Sequence, residues 1–299
     1  MASMIRQTVG ALRARGGRLM LQAAERLLHR TVIALDYPPS SLSGQPPSRP
    51  HPLLAQMVAA SRPRCEETIA TIAHHLREMA GIAVDDVGGI EPAWINGYLP
   101  GLDAAAIYSM IRARSPRRYV EVGSGNSTKF AARAKRDGGL EVRITSIDPA
   151  PRAEIDGICD ELLRAPLETL DAGLWRTLGA GDIVFFDGSH RAFPNSDVVA
   201  FFMDGLPYLA PGVLVGIHDV YLPFDYPASI ADQHYSEQYL LAAWLLGGAG
   251  VEIVLPAHWA SQTMRAELRS LWSTDERFAR IEQHGGTFWI ETRAIAACD

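Results

Sequence analysis

Short apolar runs alternate with longer segments of helical spacing through the last two thirds of the chain. Runs rich in Val, Ile and Phe are typical of parallel strands that are buried on both faces. Their alternation with helices predicts a Rossmann-like α/β fold with a seven-stranded, mostly parallel sheet. We predict strands at residues 119–122, 142–147, 162–164, 182–186, 212–217, 251–255 and 286–291, and helices at residues 102–114, 236–246 and 259–278.

Helical spacing also marks the region before this alternation begins. Leucines near the N-terminus and the segment 53–80, interrupted by Pro63, both predict helices, and a loop rich in Pro and Ser over 38–52 separates them. We therefore expect an α-helical N-terminal region at residues 1–93 and an α/β domain at residues 94–299. The amphipathic first helix is typical of a packing arm or a dimerisation arm.

Composition excludes several classes of protein. A chain of 299 residues with 47% hydrophobic residues is long enough for one large α/β domain with an appendage. The net charge of −6 argues against a nucleic-acid partner, and the sequence has no apolar run long enough to span a bilayer. The widely spaced Cys65, Cys159 and Cys298 give neither a disulfide framework nor a zinc spacing, so we expect a cytoplasmic protein.

The first predicted strand of the α/β domain ends in a tight turn with two glycines. Gly123 and Gly125 precede a helix that starts near Ser127. Two glycines in such a turn let backbone N–H groups approach a ligand closely. Asp148 ends the next strand, where an acid usually binds the hydroxyls of a ribose. The pattern therefore predicts a nucleoside-containing cofactor.

Two residues beside this turn indicate which cofactor it is. A dinucleotide fingerprint requires Gly or Ala where Thr128 stands, which disfavours a nicotinamide oxidoreductase. Glu121 would repel a pyrophosphate, whereas its negative charge suits a cationic ligand. S-adenosylmethionine carries a sulfonium and an α-amino group, both positive. The residues therefore favour S-adenosylmethionine.

Acids and imidazoles follow two further strands. Asp187 and His190 come after the fourth strand of the domain, and His218 and Asp219 come after the fifth. Since ligands of open α/β sheets bind at the carboxyl ends of the strands, we expect these side chains to lie together near the cofactor turn. Carboxylates and imidazoles are the ligand types of a divalent metal ion. An imidazole also suits a general base, because its pKa lies near neutral pH.

These motifs resemble those of a known family. The sequences E-V-G-S-G-N-S-T at 121–128, S-I-D-P at 146–149, D-G-S-H at 187–190 and I-H-D-V at 217–220 resemble class I S-adenosylmethionine-dependent methyltransferases. The branch is that of catechol O-methyltransferase-like and macrolide-sugar O-methyltransferases, and the resemblance covers about residues 96–291. It implies that the last strand is antiparallel and that the N-terminal helices cap the site or form a homo-oligomer.

The resemblance also implies roles for individual residues. Asp187 and Asp219 would bind magnesium, and His190 would be the general base. His218 stands where an acid is expected, and imidazole is a poor magnesium ligand. Three alternatives stay open. Manganese or a softer ion is held by the metal residues Asp187, His218 and Asp219; or His218 is a second catalytic base; or no metal ion is bound. The implied cofactor contacts are Glu121, Gly123, Ser124, Gly125, Ser127, Asp148, Glu168 and Asp187.

The predicted activity is O-methylation of a small hydroxylated molecule, a sugar or a natural product. A metal ion would lower the pKa of the hydroxyl, and neutral His190 would take its proton. Tyr98 and Tyr226 are candidates for the wall of the acceptor pocket. The alternatives are a metal-independent methyltransferase that uses His190 and His218, and an S-adenosylmethionine-binding protein without methyl transfer.

Overall fold

A seven-stranded sheet organises most of the chain in this computed structural model. The strands are, in chain order, β1 (Ala83–Asp85), β2 (Ala93–Ile95), β3 (Arg118–Val122), β4 (Arg143–Ile147), β5 (Glu161–Leu163), β6 (Ile183–Phe186), β7 (Leu214–Ile217), β8 (Val251–Pro256) and β9 (Phe288–Thr292). The helices are α1 (Pro52–Ala60), α2 (Arg62–His75), α3 (Gly101–Arg114), α4 (Asn126–Gly138), α5 (Asp197–Ala200), α6 (Glu237–Leu246), α7 (Ala257–Thr263) and α8 (Arg265–Trp272).

The strand order of the large sheet is β5-β4-β3-β6-β7-β9-β8. Neighbouring strands are parallel except at β9, which runs antiparallel to both β7 and β8. The Rossmann-like prediction is therefore confirmed, including the antiparallel last strand. Because the chain leaves β3 in one direction and returns to β6 on its other side, the crevice for a ligand lies at the carboxyl ends of β3 and β6.

Residues 49–230, 233–248 and 250–294 are described by the structure, with residue 17 and residues 19–23, 25–27 and 32–33 upstream. The chain divides into two units, residues 1–44 and 45–299. In the first unit, the described residues between 17 and 27 are helical. Most of the predicted first helix and residues 38–48 of the predicted loop lie outside the described residues. The boundary predicted at residue 93 falls within the second unit.

Helices α1 and α2 lie within the second unit. Helix α2 contacts both α3 and β8. The predicted break at Pro63 is the start of α2, where proline needs no N–H partner. A short parallel sheet of β1 and β2 follows, which the sequence pattern did not predict. None of the described helices is long and apolar enough to cross a membrane.

Candidate active site

A cavity of about 1030 Å³ opens at the carboxyl ends of β3, β4 and β6. His190 lines it together with the predicted cofactor residues Gly123, Ser124, Gly125, Ser127, Asp148, Glu168 and Asp187. Glu121 is fully buried in β3, directly before the turn. The part of the wall formed by described residues does not include Glu121, His218 or Asp219. One cavity therefore connects the predicted cofactor turn with the predicted base.

The two glycines of the turn meet different requirements. Gly123 has a φ of +77°, and a Cβ atom there would lie 1.8 Å from the carbonyl oxygen of Asp187. Only glycine permits this close approach of β3 to the loop after β6. At Gly125, a Cβ atom would meet nothing within 4 Å. Gly125 therefore leaves open space beside the turn, where a cofactor can approach the backbone.

Thr128 connects the turn to Glu121. Its hydroxyl accepts a hydrogen bond from the Gly125 N–H at 3.0 Å and donates one to Oε2 of Glu121. Position 128 therefore holds the acid in place and caps helix α4. The sequence pattern showed only that Thr128 breaks a dinucleotide fingerprint. Its role in holding Glu121 follows from the packing of the turn.

Glu121 fits a cationic ligand. Its Oε1 atom is buried and has no hydrogen-bond partner among the described residues. Burial raises the pKa of Glu121 to about 8, because the hydroxyls of Ser127 and Thr128 offset the lost solvation only in part. A buried carboxylate with a free oxygen is costly on its own, and a positive group in the cavity would stabilise it. The sulfonium and amino groups of S-adenosylmethionine have that charge.

Asp148 ties the ends of two strands together. Its Oδ2 atom accepts a hydrogen bond from the Ser124 N–H at 2.9 Å, and its Oδ1 atom accepts one from the Ala150 N–H at 2.8 Å. Each carboxylate oxygen can accept more than one hydrogen bond. Asp148 therefore fixes the turn and keeps acceptor capacity for the hydroxyls of a ribose.

His190 is held by a buried acid that the sequence prediction missed. Its Nδ1 atom lies 2.6 Å from Oε1 of Glu237, the first residue of α6, which is fully buried. The ring of His190 stacks on Tyr235 with 4.4 Å between the ring centroids. His190 has a φ of +63°, a left-handed conformation that directs its ring from the loop after β6 towards these partners. An acid at the start of a predicted helix was the only signal of Glu237 in the sequence.

The opposite edge of the His190 ring, at Nε2, lies near the predicted carboxylates. Its Nε2 atom lies 3.3 Å from Oδ1 of Asp187 and 3.7 Å from Oδ2 of Asp219. The Nδ1 atom of His218 lies 3.3 Å from the same oxygen of Asp187. The structure therefore brings the four residues together at one edge of the sheet, with Asp187 between the two imidazoles.

His218 is enclosed behind Asp187 by a second acid that the sequence prediction missed. Its Nε2 atom lies 3.6 Å from Oδ2 of Asp103, a fully buried residue in the first turn of α3. The carboxylate of Asp103 also accepts hydrogen bonds from the N–H groups of Gly286 and Thr287. His218 therefore contacts acids on both sides and faces the protein interior.

The surrounding carboxylates change the charge state of both imidazoles. Burial lowers the pKa of His190, but Glu237, Asp187 and Asp219 outweigh this effect and raise it to about 9. Burial is likewise outweighed at His218, where Asp187 and Asp103 raise the pKa well above its ordinary value. The sequence predicted a neutral His190, whereas the carboxylates around it favour the imidazolium form in the ligand-free protein.

The predicted metal ligands do not fit a metal ion as they stand. Among residues 49–230, 233–248 and 250–294, no three His, Cys, Asp or Glu side chains are grouped so that they could hold one. Asp187, His218 and Asp219 lie close together, but Nδ1 of His218 already contacts both carboxylates, which raise the pKa of the ring and favour its positive charge. A metal ion would have to compete with that positive charge.

The predicted acceptor wall is present in part. Tyr98 lines the cavity. Tyr226 is only 7% exposed, and its hydroxyl accepts a hydrogen bond from the Gln238 N–H, so it packs behind the site. Tyr235, which stacks on His190, lines the cavity in its place.

Comparison with known proteins identifies the domain. Residues 120–220 match the model of a methyltransferase domain family. The matched segment runs from the middle of β3 to just beyond Asp219, so it contains the cofactor turn and both strand ends with acids and imidazoles. The recognition made from the sequence motifs is confirmed by this match. No curated protein matches the chain.

Several solved structures are similar to the chain at low sequence identity. One is the O-methyltransferase TomG from Streptomyces achromogenes, involved in tomaymycin synthesis, in complex with SAM, with 15% identity over 80% of this chain and 96% of that chain and a TM-score of 0.40. Another is an O-methyltransferase from Bacillus cereus in complex with SAH, with 12% identity, 76% and 91% coverage and a TM-score of 0.38. A third is the SAH-bound methyltransferase PaMTH1 from Podospora anserina, with 15% identity, 87% and 100% coverage and a TM-score of 0.41.

Proposed function

Because the chain is a class I S-adenosylmethionine-dependent methyltransferase, we propose that it methylates a hydroxyl group of a small molecule, such as a sugar or another natural product. His190, held by Glu237, removes the proton of that hydroxyl. The observation that carries this proposal is the 2.6 Å contact between His190 and Glu237, on the wall of the cavity that also contains the glycine turn. A buried carboxylate behind an imidazole is the arrangement that orients a general base.

The charges around the cavity support the placement of the cofactor. Glu121, buried behind the glycine turn, would attract the positive methionine part. Asp148 and the exposed Glu168 line the cavity and would bind the ribose and border the adenine. Asp187 favours its ionised form, because the imidazoles of His218 and His190 outweigh its burial and lower its pKa. A negative environment favours a bound sulfonium over a neutral ligand.

The reaction exchanges one bond to the methyl carbon for another. Bound S-adenosylmethionine would supply the methyl group, which an in-line displacement would move from sulfur to the hydroxyl oxygen, with S-adenosylhomocysteine as the leaving group. The hydroxyl proton passes to Nε2 of His190, because Glu237 occupies Nδ1. Holding the oxygen, carbon and sulfur in line contributes much of the rate enhancement.

His190 must lose its own proton before it can act as the base. The adjacent carboxylates oppose that loss in the free protein, since they stabilise the imidazolium. The positive charge of the bound cofactor acts in the opposite direction and lowers the pKa of His190. Cofactor binding therefore favours the form of His190 that accepts a proton.

His218 has a positioning role in this proposal. Its contacts with Asp103 and Asp187 hold the carboxylate of Asp187 beside His190. The proposed reaction needs no metal ion, because His190 takes the proton and the carboxylate of Asp187 is already in contact with His190 and His218. Metal assistance through Asp187 and Asp219 stays a prediction of the family resemblance, and chelation tests it.

A transfer assay tests the proposal. The protein is incubated with methyl-labelled S-adenosylmethionine and a panel of hydroxylated acceptors, and labelled ether products are measured. With an identified acceptor, His190→Ala should reduce turnover roughly 10²- to 10⁴-fold while binding of S-adenosylhomocysteine persists. The control is His74→Ala, since His74 is exposed on α2. Normal turnover by His190→Ala would show that the base assignment is wrong.

A further inference from the structure

Lys129 is a buried cation that the proposed chemistry does not use. Its side chain is only 4% exposed and lines the cavity. Within the part of the chain that the structure describes, it makes no hydrogen bond and no ion pair. Lysine is rarely buried to this extent unless its charge is paired. The ammonium group therefore faces the cavity without a protein partner.

The position of Lys129 is also unfavourable for the helix that carries it. Lys129 is the fourth residue of α4, and the positive end of the helix dipole disfavours a cation near the N-terminus. Lys135, the second of the two lysines in the chain, lies near the C-terminal end of the same helix and pairs with Asp160 at 2.7 Å. Lys135 has a structural explanation in the free protein, and Lys129 has none.

Lys129 has a counterpart on the other side of the turn. Glu121 precedes the glycines and has a buried oxygen without a partner, and Lys129 follows them with an ammonium without a partner. The methionine part of S-adenosylmethionine is a zwitterion, with an amino group and a carboxylate on one carbon. An acid and a base that flank one turn match that pair of charges.

We propose that Lys129 binds the carboxylate of the methionine part of the cofactor. The inference rests on the proposed function, because it takes S-adenosylmethionine as the ligand of this cavity. The cavity should then bind a cofactor that has an amino-acid carboxylate more tightly than one that lacks it. An acidic group on the acceptor is the other source of a carboxylate, and the test below separates the two sources.

Calorimetry with two ligands tests the proposal. S-adenosylhomocysteine carries the carboxylate, whereas 5′-methylthioadenosine has the same nucleoside and thioether but no amino-acid part. Lys129→Met keeps most of the apolar stem and should weaken binding of S-adenosylhomocysteine about 10- to 100-fold, with 5′-methylthioadenosine unaffected. Lys129→Arg should retain part of the affinity. Lys135→Met is the matched control and should bind both ligands as the wild type does.

Three outcomes would overturn the proposal. Unchanged affinity of Lys129→Met for S-adenosylhomocysteine would exclude the cofactor carboxylate, and a raised KM for acidic acceptors would then assign the lysine to the acceptor. Equal losses for both ligands would indicate a damaged pocket in place of a lost ion pair. If the wild type binds neither ligand, the cofactor assignment fails and this proposal fails with it.

The small number of lysines permits a direct readout. Reductive methylation with ¹³C-formaldehyde labels only Lys129, Lys135 and the N-terminal amine in this sequence. The signal that disappears in Lys129→Met should shift when S-adenosylhomocysteine is added and stay in place with 5′-methylthioadenosine. A shift of equal size with both ligands would contradict a contact with the carboxylate.

Discussion

The Nδ1 atom of His190 lies 2.6 Å from Oε1 of Glu237, while its Nε2 atom faces Asp187 at 3.3 Å. The imidazole therefore bridges a buried acid of α6 and an acid at the end of β6. Both carboxylates stabilise the imidazolium, so they fix the orientation of the base and also its proton affinity. The pH dependence of the reaction is expected to report on this arrangement.

Glu237→Gln should move the pH profile of kcat/KM to lower pH. In the wild type, kcat/KM for S-adenosylmethionine should rise through a pKa of about 9, the value of His190 in the free protein. Glutamine keeps the size of the side chain but removes a negative charge, so the imidazolium is less stable and its pKa falls towards the ordinary value of about 6.5. The maximal rate should fall at least about 10-fold, because the orienting carboxylate is lost.

Initial rates between pH 6 and 10 measure this effect. Glu276→Gln, at an exposed residue, is the control and should keep the wild-type profile. A Glu237→Gln profile with the wild-type pKa would show that Glu237 does not set the proton affinity of the base.

Glu121→Gln should make the stability of the ligand-free protein less dependent on pH. Burial raises the pKa of Glu121 from 4.5 to about 8 in the folded state. Between these values the folded protein binds more protons than the unfolded chain, so Glu121 lowers stability as pH rises. The difference in the free energy of unfolding between Glu121→Gln and the wild type should therefore change with pH. It should favour the variant by a few kcal/mol more at pH 8.5 than at pH 5. Urea unfolding at both values measures this, and a difference independent of pH would contradict the buried charge.

The sequence was enough to predict the strands of the large sheet. It also predicted that four side chains meet at one edge of that sheet, namely Asp187, His190, His218 and Asp219. Both follow from local rules, since buried parallel strands are continuous apolar runs and their carboxyl ends share one edge. The strands β1 and β2 were missed because they lie before the alternation of strands and helices begins and pair only with each other in a separate small sheet.

The acids behind the histidines could not be predicted in the same way. Asp103 lies in the first turn of α3 and Glu237 is the first residue of α6, where an acid is ordinary because it favours the helix dipole. Only the tertiary packing brings them against His218 and His190. The charge of His190 was missed for the same reason, because carboxylates from separate segments of the chain determine it.

Asp148→Ala should weaken binding of the cofactor. The substitution removes hydrogen bonds from the ribose to a charged acceptor, worth about 1.5–3 kcal/mol. It also removes the bonds to the N–H groups of Ser124 and Ala150, so the melting temperature is measured alongside. Calorimetric titration with S-adenosylhomocysteine gives the affinity. Unchanged affinity in a folded variant would remove Asp148 from the cofactor site.

Chelation should leave methyl transfer unchanged, because His190 and His218 already contact the oxygen of Asp187 that a metal ion would need. The assay compares protein treated with EDTA, untreated protein and protein supplied with Mg²⁺ or Mn²⁺. His190→Ala serves as the comparison that loses turnover under all three conditions. Loss of activity on chelation and its recovery with Mg²⁺ or Mn²⁺ would restore the metal-assisted mechanism that the family resemblance predicted.

Asp187→Asn distinguishes the two roles of that carboxylate. If Asp187 is a counter-ion, its loss destabilises both imidazolium ions, so the pKa of His190 falls and the pH profile moves down as it does in Glu237→Gln. If Asp187 is a metal ligand, the variant needs a higher metal concentration for activity, and added metal restores the rate without moving the profile. We expect the first result. Rate measurements over pH at several Mg²⁺ concentrations separate the two, since only a metal ligand makes the rate of the variant depend on the metal.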